Sequence, residues 1–362
     1  MKKVMHVITN FSELGGAESM LIRVLNSSPK DQNIKVISLM QITPDMQRRL
    51  PEHIQSTALG ASGPLSMLMT SLKLIRELSN VDTVFSWMYH ANFVTALSKV
   101  ISFKRFHLCW GVRHSLDDYA SESVSTKVAI RAGKLLGKVP DKVVYCAQRA
   151  LKQHVQFGYS PQKTAVYIPN GYYFSDFETK YFSGEKLVIG GAGRFHEAKD
   201  FNTFFRIAAQ LQSTHSNIEF AIVGRGMDSQ NKILNRWIDE LNIDRNRFNL
   251  RGPTDDMASF YKECDFFLLS SITEGFPNVL AEAASHGCIC FSTDVGDARL
   301  IVNDTNRVFL PKEVNKGVSI IANHLLLSAD ELTEVSLKSA EEVRSRYSIQ
   351  KVTKEFMSVG NV

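Results

Sequence analysis

The feature that most constrains the fold is an alternation of short apolar runs with amphipathic segments along the whole chain. Runs such as "KVMHVIT" (3–9) and "KLVIGGAG" (186–193) have the length and the β-branched content of buried strands. Amphipathic segments such as 199–213 and 330–346 separate these runs. Strands that alternate with helices form parallel sheets, because a parallel connection has to cross over the sheet. The sequence therefore predicts the α/β class.

The alternation divides into two series on either side of a segment without periodicity. That segment, "YIPNGYYFSDFETKYFSGEK" (167–186), is rich in aromatic and turn residues, which is typical of a domain boundary. We therefore predict two Rossmann-like, doubly wound domains over residues 1–170 and 171–346, and a helix within 347–362 that returns to the first domain. The predicted strands are 3–9, 34–40, 82–87, 106–112 and 142–147 in the first series, and 186–193, 218–224, 248–252, 265–271, 288–294 and 307–310 in the second.

Composition and charge limit the function classes. Residues 1–170 carry 21 Lys and Arg against 11 Asp and Glu, whereas the remainder carries 21 against 26, so the two domains are expected to have different partners. The start, "MKKVMHVITNF", lacks the features of a signal peptide, and no window approaches the roughly 18 apolar residues of a membrane span. The five cysteines have neither zinc-site nor disulfide spacing, so we expect reduced thiols in a cytoplasmic protein.

Two glycine-containing loops follow strands, where open parallel sheets bind their ligands. In "NFSELGGAES" (10–19), Gly15 and Gly16 run into a helix pattern whose free amides would favour an anion, although a flexible turn explains them equally well. "GGAGRFHEAKDF" (190–201) lacks the third glycine of a dinucleotide fingerprint. It carries Arg194 and Lys199, whose cationic groups suit a phosphate clamp better than a solvated surface in this setting.

A pair of glutamates surrounds a predicted helix start in "TEGFPNVLAEAASHG" (273–287). No Lys or Arg lies near Glu274 or Glu282 in the sequence to pair with them. Pro277 is favoured at the first helical position. Glu282 would lie one turn into the helix, where its carboxylate could accept two hydrogen bonds from the diol of a ribose. Glu274 would face the other end of the same ligand. The helix amides expected to point at that ligand are those of Asn278, Val279 and Leu280.

These motifs resemble glycosyltransferase family 4. The resemblance is carried by "EGFPNVLAEA", "GRFHEAKDF", "YIPNG" and an N-terminal "GGAE", and it runs from Val4 to about Tyr347. It implies a retaining enzyme of the B-type fold, in which two Rossmann-like domains face each other across a cleft. It also implies a nucleotide-sugar donor, UDP-linked, and a glycan or polyprenyl-diphosphate-linked acceptor in bacterial surface polysaccharide or glycolipid assembly.

The resemblance also implies roles for single residues. It implies that Glu282 binds the nucleotide ribose and that Glu274 lies near the hydroxyls of the donor sugar. Arg194 and Lys199 match the diphosphate-binding pair, and the loop with Gly15 and Gly16 matches the one that closes over the diphosphate. In "WGVRHS" (110–115), His114 matches the active-site histidine, although alone it would be read as structural, and the adjacent Arg113 is a candidate for contact with a phosphate or the acceptor.

Two departures from the family pattern stand out. Cys288 and Ile289 occupy positions where relatives usually carry a Leu/Val-Pro pair, which we expect to alter packing more than chemistry. Arg225 stands where Asp or Glu is common, which puts the donor or acceptor preference in doubt.

The expected chemistry needs neither a metal nor another cofactor. No two aspartates are separated by a single residue, the usual way of holding a metal under a nucleotide diphosphate. The charge of the leaving diphosphate would then be met by Arg194, Lys199 and the helix amides. A departing phosphate oxygen would take the proton of the acceptor on the same face of the sugar.

The acceptor side is predicted from a basic stripe in "TKVAIRAGKLLGKVPDK" (126–142). Four cations at spacings of 4, 3 and 4 share one helix face, and the apolar residues are expected mostly on other faces. Such stripes are usually solvated, but an anionic membrane surface or a lipid diphosphate is an alternative on a basic domain. Nucleic acid is disfavoured because no aromatic-basic motif accompanies the stripe. The cations are Lys127, Arg131, Lys134 and Lys138.

Two other functions remain open. A nucleotide-sugar epimerase on the same fold would need a donor but no acceptor. A non-catalytic subunit that binds sugar nucleotides is disfavoured, because Arg194, Lys199, Glu274, Glu282 and His114 are all present.

Overall fold

A computed structural model of the chain describes residues 2–117, 119–120, 122–174, 178–183 and 185–361. It divides into two compact units, Met1–Tyr173 with Tyr347–Val362, and Phe174–Arg346. The predicted boundary segment, 167–186, contains the change of unit, and part of it lies outside the described residues. No helix in the described ranges is long and apolar enough to cross a membrane.

The first unit is built on a parallel sheet of seven strands in the order β3-β2-β1-β4-β5-β6-β7. Helices fill the connections, and the C-terminal helix packs against the first one. The strands are β1 (Lys3–Ile8), β2 (Asn33–Ser38), β3 (Gln55–Ala58), β4 (Thr83–Trp87), β5 (His107–Val112), β6 (Lys142–Tyr145) and β7 (Ala165–Tyr167). The helices are α1 (Gly16–Ser27), α2 (Pro44–Arg48), α3 (Pro64–Glu77), α4 (Tyr89–Ser102), α5 (Val124–Leu136), α6 (Gln148–Phe157) and, at the C-terminus, α14 (Ile349–Val359).

The second unit is built on a parallel sheet of six strands in the order β10-β9-β8-β11-β12-β13. Its core is strongly aromatic: Phe205 of the first helix lies 4.7 Å from Phe248 of the third strand, ring centre to ring centre. The strands are β8 (Leu187–Ala192), β9 (Ile218–Val223), β10 (Phe248–Leu250), β11 (Phe266–Leu269), β12 (Ile289–Thr293) and β13 (Val308–Phe309). The helices are α7 (Phe201–Thr214), α8 (Lys232–Glu240), α9 (Met257–Glu263), α10 (Asn278–Ser285), α11 (Ala298–Val302), α12 (Val314–His324) and α13 (Ala329–Tyr347).

The prediction of two Rossmann-like parallel α/β domains is confirmed, and each predicted strand is present with ends that lie within two residues of the predicted ones. The sequence did not predict β3 and β7, which lie at the two edges of the first sheet. Both are only partly covered: none of their residues is fully buried. An edge strand packs on fewer neighbours and therefore lacks the continuous apolar run by which central parallel strands are recognised.

The strand order determines which loops come together. In the first sheet, the chain runs from β1 to the edge strand β3 and then from β4 to the opposite edge strand, β7. In the second sheet, it runs from β8 to the edge strand β10 and then from β11 to the opposite edge strand, β13. Loops that follow the two central strands of such a sheet diverge and leave a crevice at the carboxyl ends of the strands. In the second unit, the loops after β8 and β11 carry Lys199 and Glu274.

Candidate active site

The loop after β8 is fixed to the loop after β9 by backbone contacts. The amide of Gly193 donates to the carbonyl of Val223 over 3.0 Å, and the amide of Phe195 donates to that of Arg225 over 2.8 Å. Gly224 has a φ of +144°, and a Cβ atom there would collide with the carbonyl oxygen of Gly193. Only glycine allows this approach, so the backbone that carries Arg194 is held in place from both sides.

Lys199 and Glu274 are directly paired. The ammonium Nζ of Lys199 donates to Oε1 of Glu274 over 2.6 Å, and the two side chains are only 23% and 13% exposed. The hydroxyl of Ser271 donates to the same Oε1 over 2.7 Å. No Lys or Arg lies near Glu274 in the sequence. Its partner is distant in the sequence and comes from the loop after the neighbouring strand.

Hydroxyl groups at the ends of two strands hold the backbone near both partners of the pair. The carbonyl of Ser271 accepts a hydrogen bond of 2.6 Å from the buried hydroxyl of Thr293, at the end of β12. The carbonyl of Lys199 accepts one of 3.0 Å from the hydroxyl of Ser270. These bonds fix the backbone on both sides of the pair, so its two charges are presented by rigid elements.

Arg194 stays exposed on the same loop. Among the described residues, no hydrogen bond or ion pair to its guanidinium is found. Its fork is thus available to an anion, and the predicted clamp of Arg194 with Lys199 remains a prediction.

The start of α10 differs from the predicted one in two respects. Pro277 is the residue before the helix, with a ψ of 87°, and not its first helical residue. The amide of Leu280 donates to the carbonyl of Pro277 over 3.1 Å. That amide is therefore used inside the first turn, because a tight first turn closes a hydrogen bond over three residues, and the prediction that it points at a ligand was wrong. The first two helical residues, Asn278 and Val279, are half-buried.

Glu282 lies one turn into α10 and is half-buried. Its Oε2 accepts a hydrogen bond of 3.2 Å from the hydroxyl of Tyr261 on α9. Tyr261 is itself buried and packs against the ring of His286. Sequence reasoning missed Tyr261, because it is one of many aromatic residues in apolar positions and has no motif of its own. A role of Glu282 toward a ribose remains a prediction.

The unusual Cys288 and Ile289 lie at the start of β12 and are buried. The thiol of Cys288 lies 3.1 Å from the carbonyl oxygen of Tyr261, and burial raises its pKa to about 12. All five cysteines are buried, and none of them forms a disulfide. Among the described residues, no group of three or more His, Cys, Asp or Glu side chains is arranged to hold a metal ion.

In the first unit, Gly15 and Gly16 are exposed at the start of α1, where Gly15 is the capping residue. The carboxylate of Glu18 folds back over this start. Burial raises the pKa of Glu18, while hydrogen bonds from the backbone at Glu18 and Gly15 lower it. The helix start predicted to attract an anion therefore already has a carboxylate of the chain beside it.

His114 lies two residues after β5 and is paired with a carboxylate. Its Nε2 is 2.5 Å from Oε1 of Glu122, with side-chain exposures of 39% and 22%. The sequence did not single out Glu122, since it is one of several acidic residues in the same loop. Arg113 points into the first unit: its guanidinium lies about 5 Å from the ring centres of Trp87 and Phe356 and donates to Oδ1 of Asn170 over 2.9 Å.

The basic stripe is shorter than predicted. Helix α5 ends at Leu136, so Lys138 lies beyond it. A Cβ atom on the next residue, Gly137, would collide with the carbonyl of Tyr159, so only glycine allows this close approach at the helix end. Lys127 donates to the carbonyl of Ala120 over 2.6 Å, while Arg131 and Lys134 are exposed. Apolar residues share the outer face, contrary to expectation: Val124 is 78%, Val128 58% and Leu135 85% exposed.

Comparison with known proteins gives a family for the second unit. The model of the family described as Glycosyl transferases group 1 matches residues 186–326. This range includes Arg194, Lys199, Glu274 and Glu282. The resemblance inferred from the motifs is thus confirmed at the level of this group.

Relatives and solved structures extend the similarity to the rest of the chain. The phosphatidylinositol N-acetylglucosaminyltransferase GPI3 subunit of Saccharomyces cerevisiae is 26% identical over 60% of this chain, which spans about half of that protein (52%). The capsular polysaccharide biosynthesis glycosyltransferase CapH of Staphylococcus aureus is 23% identical over 82% of each chain. Anabaena HepE, solved in complex with UDP, superposes over 98% of each chain with a TM-score of 0.81 at 18% identity. These matches show a glycosyl transferases group 1 domain at residues 186–326 and, over nearly the whole chain, the fold of the B-type glycosyltransferases.

Proposed function

We propose that the protein transfers a sugar from a UDP-sugar to a hydroxyl group of a glycan or a polyprenyl-diphosphate-linked acceptor, with retention of the anomeric configuration and without a metal ion. The observation that carries the proposal is the Lys199–Glu274 pair, held over 2.6 Å between the loops that follow β8 and β11. These are the strands between which the order of the second sheet reverses, and such reversals are where open α/β sheets bind their ligands.

The charges of this site suit a nucleoside diphosphate sugar. The ammonium of Lys199 and the exposed guanidinium of Arg194 provide donors for the diphosphate. Glu274 provides acceptors for the hydroxyls of a sugar at one side of the diphosphate. Glu282, steadied by the Tyr261 hydroxyl, provides acceptors for a ribose at the other. A uridine nucleotide is the choice supported by HepE, which was solved with UDP.

The transfer step can proceed with these groups alone. The bond between the anomeric carbon and the diphosphate oxygen breaks, the acceptor oxygen bonds to the same carbon from the same face, and the acceptor proton moves to a departing phosphate oxygen. Lys199 and Arg194 stabilise the negative charge that develops on the diphosphate. The absence of an Asp-x-Asp pair in the sequence supports a step without a divalent cation.

The acceptor class is supported by a relative, and the location by the first unit. The capsular polysaccharide role printed for CapH supports a surface glycan as the product. The outer face of α5 exposes Val124, Val128 and Leu135 beside Arg131 and Lys134, which is the composition of helices that lie on anionic bilayers. We include in the proposal that this face rests on the cytoplasmic surface of the membrane.

A flotation assay tests the location. The protein is mixed with vesicles of phosphatidylcholine alone or with added phosphatidylglycerol. We expect binding only to the anionic vesicles, and loss of that binding in Val128→Asp/Leu135→Asp. An exposed apolar residue of the second unit provides the control, Leu326→Asp, which should bind as the wild type does. Equal binding by both variants, or none by the wild type, would reject the membrane face and leave transfer to be tested separately.

A donor panel tests the reaction. Purified protein is incubated with UDP-glucose, UDP-galactose, UDP-N-acetylglucosamine and UDP-N-acetylgalactosamine in the absence of an acceptor. A transferase is expected to hydrolyse one of them slowly, releasing UDP and a sugar whose first-formed anomer has the configuration of the donor. A new nucleotide sugar without release of UDP would indicate an epimerase. Binding of a donor with neither outcome would indicate a non-catalytic subunit.

A further inference from the structure

Nothing in the family resemblance accounts for Glu122, which contacts the candidate active-site histidine. Its Oε1 lies 2.5 Å from Nε2 of His114. The carboxylate is 22% exposed and the imidazole 39%. Among the residues that the structure describes, no hydrogen bond is found to the other ring nitrogen, Nδ1. The histidine is thus held at one nitrogen and open at the other.

The loop that carries His114 and Glu122 is anchored at both ends. Asp117 accepts hydrogen bonds from Nε of Arg149 over 2.8 Å and from Nε2 of Gln153 over 2.5 Å, both on α6. The amide of Leu116 donates to Oε1 of Gln153 over 2.9 Å. At the other end, Ser123 caps α5 by accepting from the amide of Thr126 over 3.2 Å. These contacts hold the backbone next to both partners, which reduces the entropy that pairing has to overcome.

The Glu122 carboxylate also acts electrostatically on a buried tyrosine of the same unit. Burial raises the pKa of Tyr89, and the charge of Glu122 contributes to that rise, so the two groups are within electrostatic reach. The hydroxyl of Tyr89 is 2.8 Å from Nε2 of His154, and burial lowers the pKa of His154 to about 4. His114 is therefore the group that contacts the Glu122 carboxylate directly, while Tyr89 lies only within its electrostatic reach.

We propose that Glu122 is a positioning residue that fixes the tautomer and orientation of His114. By accepting from Nε2–H, the carboxylate leaves Nδ1 as the nitrogen available to the sugar of the donor. The nitrogen that carries the proton in a histidine is set by the hydrogen bond that its other nitrogen makes. This proposal rests on the proposed function only for the statement that His114 faces the donor sugar.

Nuclear magnetic resonance of the full chain labelled with nitrogen-15 histidine tests the tautomer directly. The signals of His114 are assigned by their loss in His114→Asn, and spectra are recorded at about pH 8.5, where an imidazole of ordinary pKa is neutral. We expect wild-type His114 to carry its proton on Nε2. In Glu122→Ala we expect averaged shifts of a tautomer mixture, and in Glu122→Gln an intermediate state. Unchanged nitrogen shifts in Glu122→Ala would overturn the proposal.

Kinetics on the donor identified by the panel provide the second readout. Glu122→Ala removes a charged hydrogen bond to His114, so we expect kcat to fall roughly tenfold or more. The Kd for UDP should be unchanged, because UDP lacks the donor sugar. Glu122→Gln should recover part of kcat. Glu52→Ala, which removes an exposed carboxylate of the same unit, should behave as the wild type.

Failure of the Glu122 proposal can be distinguished from failure of the proposed function. If kcat and UDP affinity fall together with the melting temperature in both Glu122 variants, the role of Glu122 is structural and the proposal fails. If the wild type turns over no donor, the proposed function fails, and the nitrogen shifts still decide whether Glu122 sets the tautomer.

Discussion

Removing the charge of Glu274 should make UDP bind more tightly while it slows transfer. In the free protein the ammonium of Lys199 is already neutralised by Glu274 at 2.6 Å, and both side chains are largely buried. A diphosphate that uses Lys199 has to share it with this carboxylate, and the carboxylate also repels the phosphates. Glu274→Gln keeps the shape and the hydrogen-bonding oxygen for Ser271 but removes the negative charge.

The magnitude follows from the strength of the pair. A hydrogen bond to a charged group contributes about 1.5–3 kcal/mol, and both partners remain partly exposed, so we take the lower end. Roughly 1.4 kcal/mol corresponds to a tenfold decrease in Kd for UDP. Transfer should fall by about tenfold or more, because the neutral amide accepts more weakly from the hydroxyls of the donor sugar.

Calorimetric titration of UDP into four proteins separates the contributions: the wild type, Glu274→Gln, Lys199→Met and the double variant. If Glu274→Gln increases UDP affinity by freeing Lys199, most of this increase should disappear in the Lys199→Met background. Ser271→Ala, which removes an uncharged partner of the same carboxylate oxygen, is the matched control and should leave UDP affinity nearly unchanged. An unchanged or weaker affinity in Glu274→Gln would refute the idea that the pair competes with the diphosphate. An equal gain in both backgrounds would show general repulsion without a role for Lys199.

Three further predictions follow from the site and the core. EDTA should leave turnover of the donor unchanged, and loss of activity that Mn²⁺ restores would contradict the metal-free step. Arg194→Ala should slow turnover by roughly 10²-fold, because the loss of a hydrogen-bond donor to a developing charge costs about 2–4 kcal/mol. Arg225 is an exposed arginine of the adjacent loop, and Arg225→Ala should have a smaller effect. Equal rates in the two variants would show that Arg194 is only a surface cation. Burial lowers the pKa of His154 to about 4 in the folded protein. As the pH falls, this histidine is therefore protonated in the unfolded chain before it is protonated in the folded one. The free energy of unfolding should thus decrease by roughly 3 kcal/mol between about pH 6.5 and pH 4. Chemical denaturation across this range should show a shallower decrease in His154→Gln, and an identical pH dependence would contradict the assignment.

The sequence alone determined the class of the fold and the loops worth inspecting. The period of the apolar pattern is a local property: central parallel strands are covered on both faces, so their runs are visible without knowledge of their neighbours. For the same reason the residues that follow those runs, among them Arg194, Lys199, Glu274 and His114, could be named as candidates. The partly exposed strands β3 and β7 lack this signal and were missed.

Only the tertiary structure decided which of these residues meet. Lys199 and Glu274 are 75 positions apart, and their pairing depends on β8 and β11 being neighbours in the sheet, which no local pattern encodes. The pairing of His114 with Glu122 joins residues that no motif connects, and the close approach of Gly137, at the end of α5, to the carbonyl of Tyr159 is likewise a tertiary contact. Periodicity records whether a residue is covered, whereas contacts between loops follow from strand order and close backbone approach, and these are set by the packing of the whole sheet.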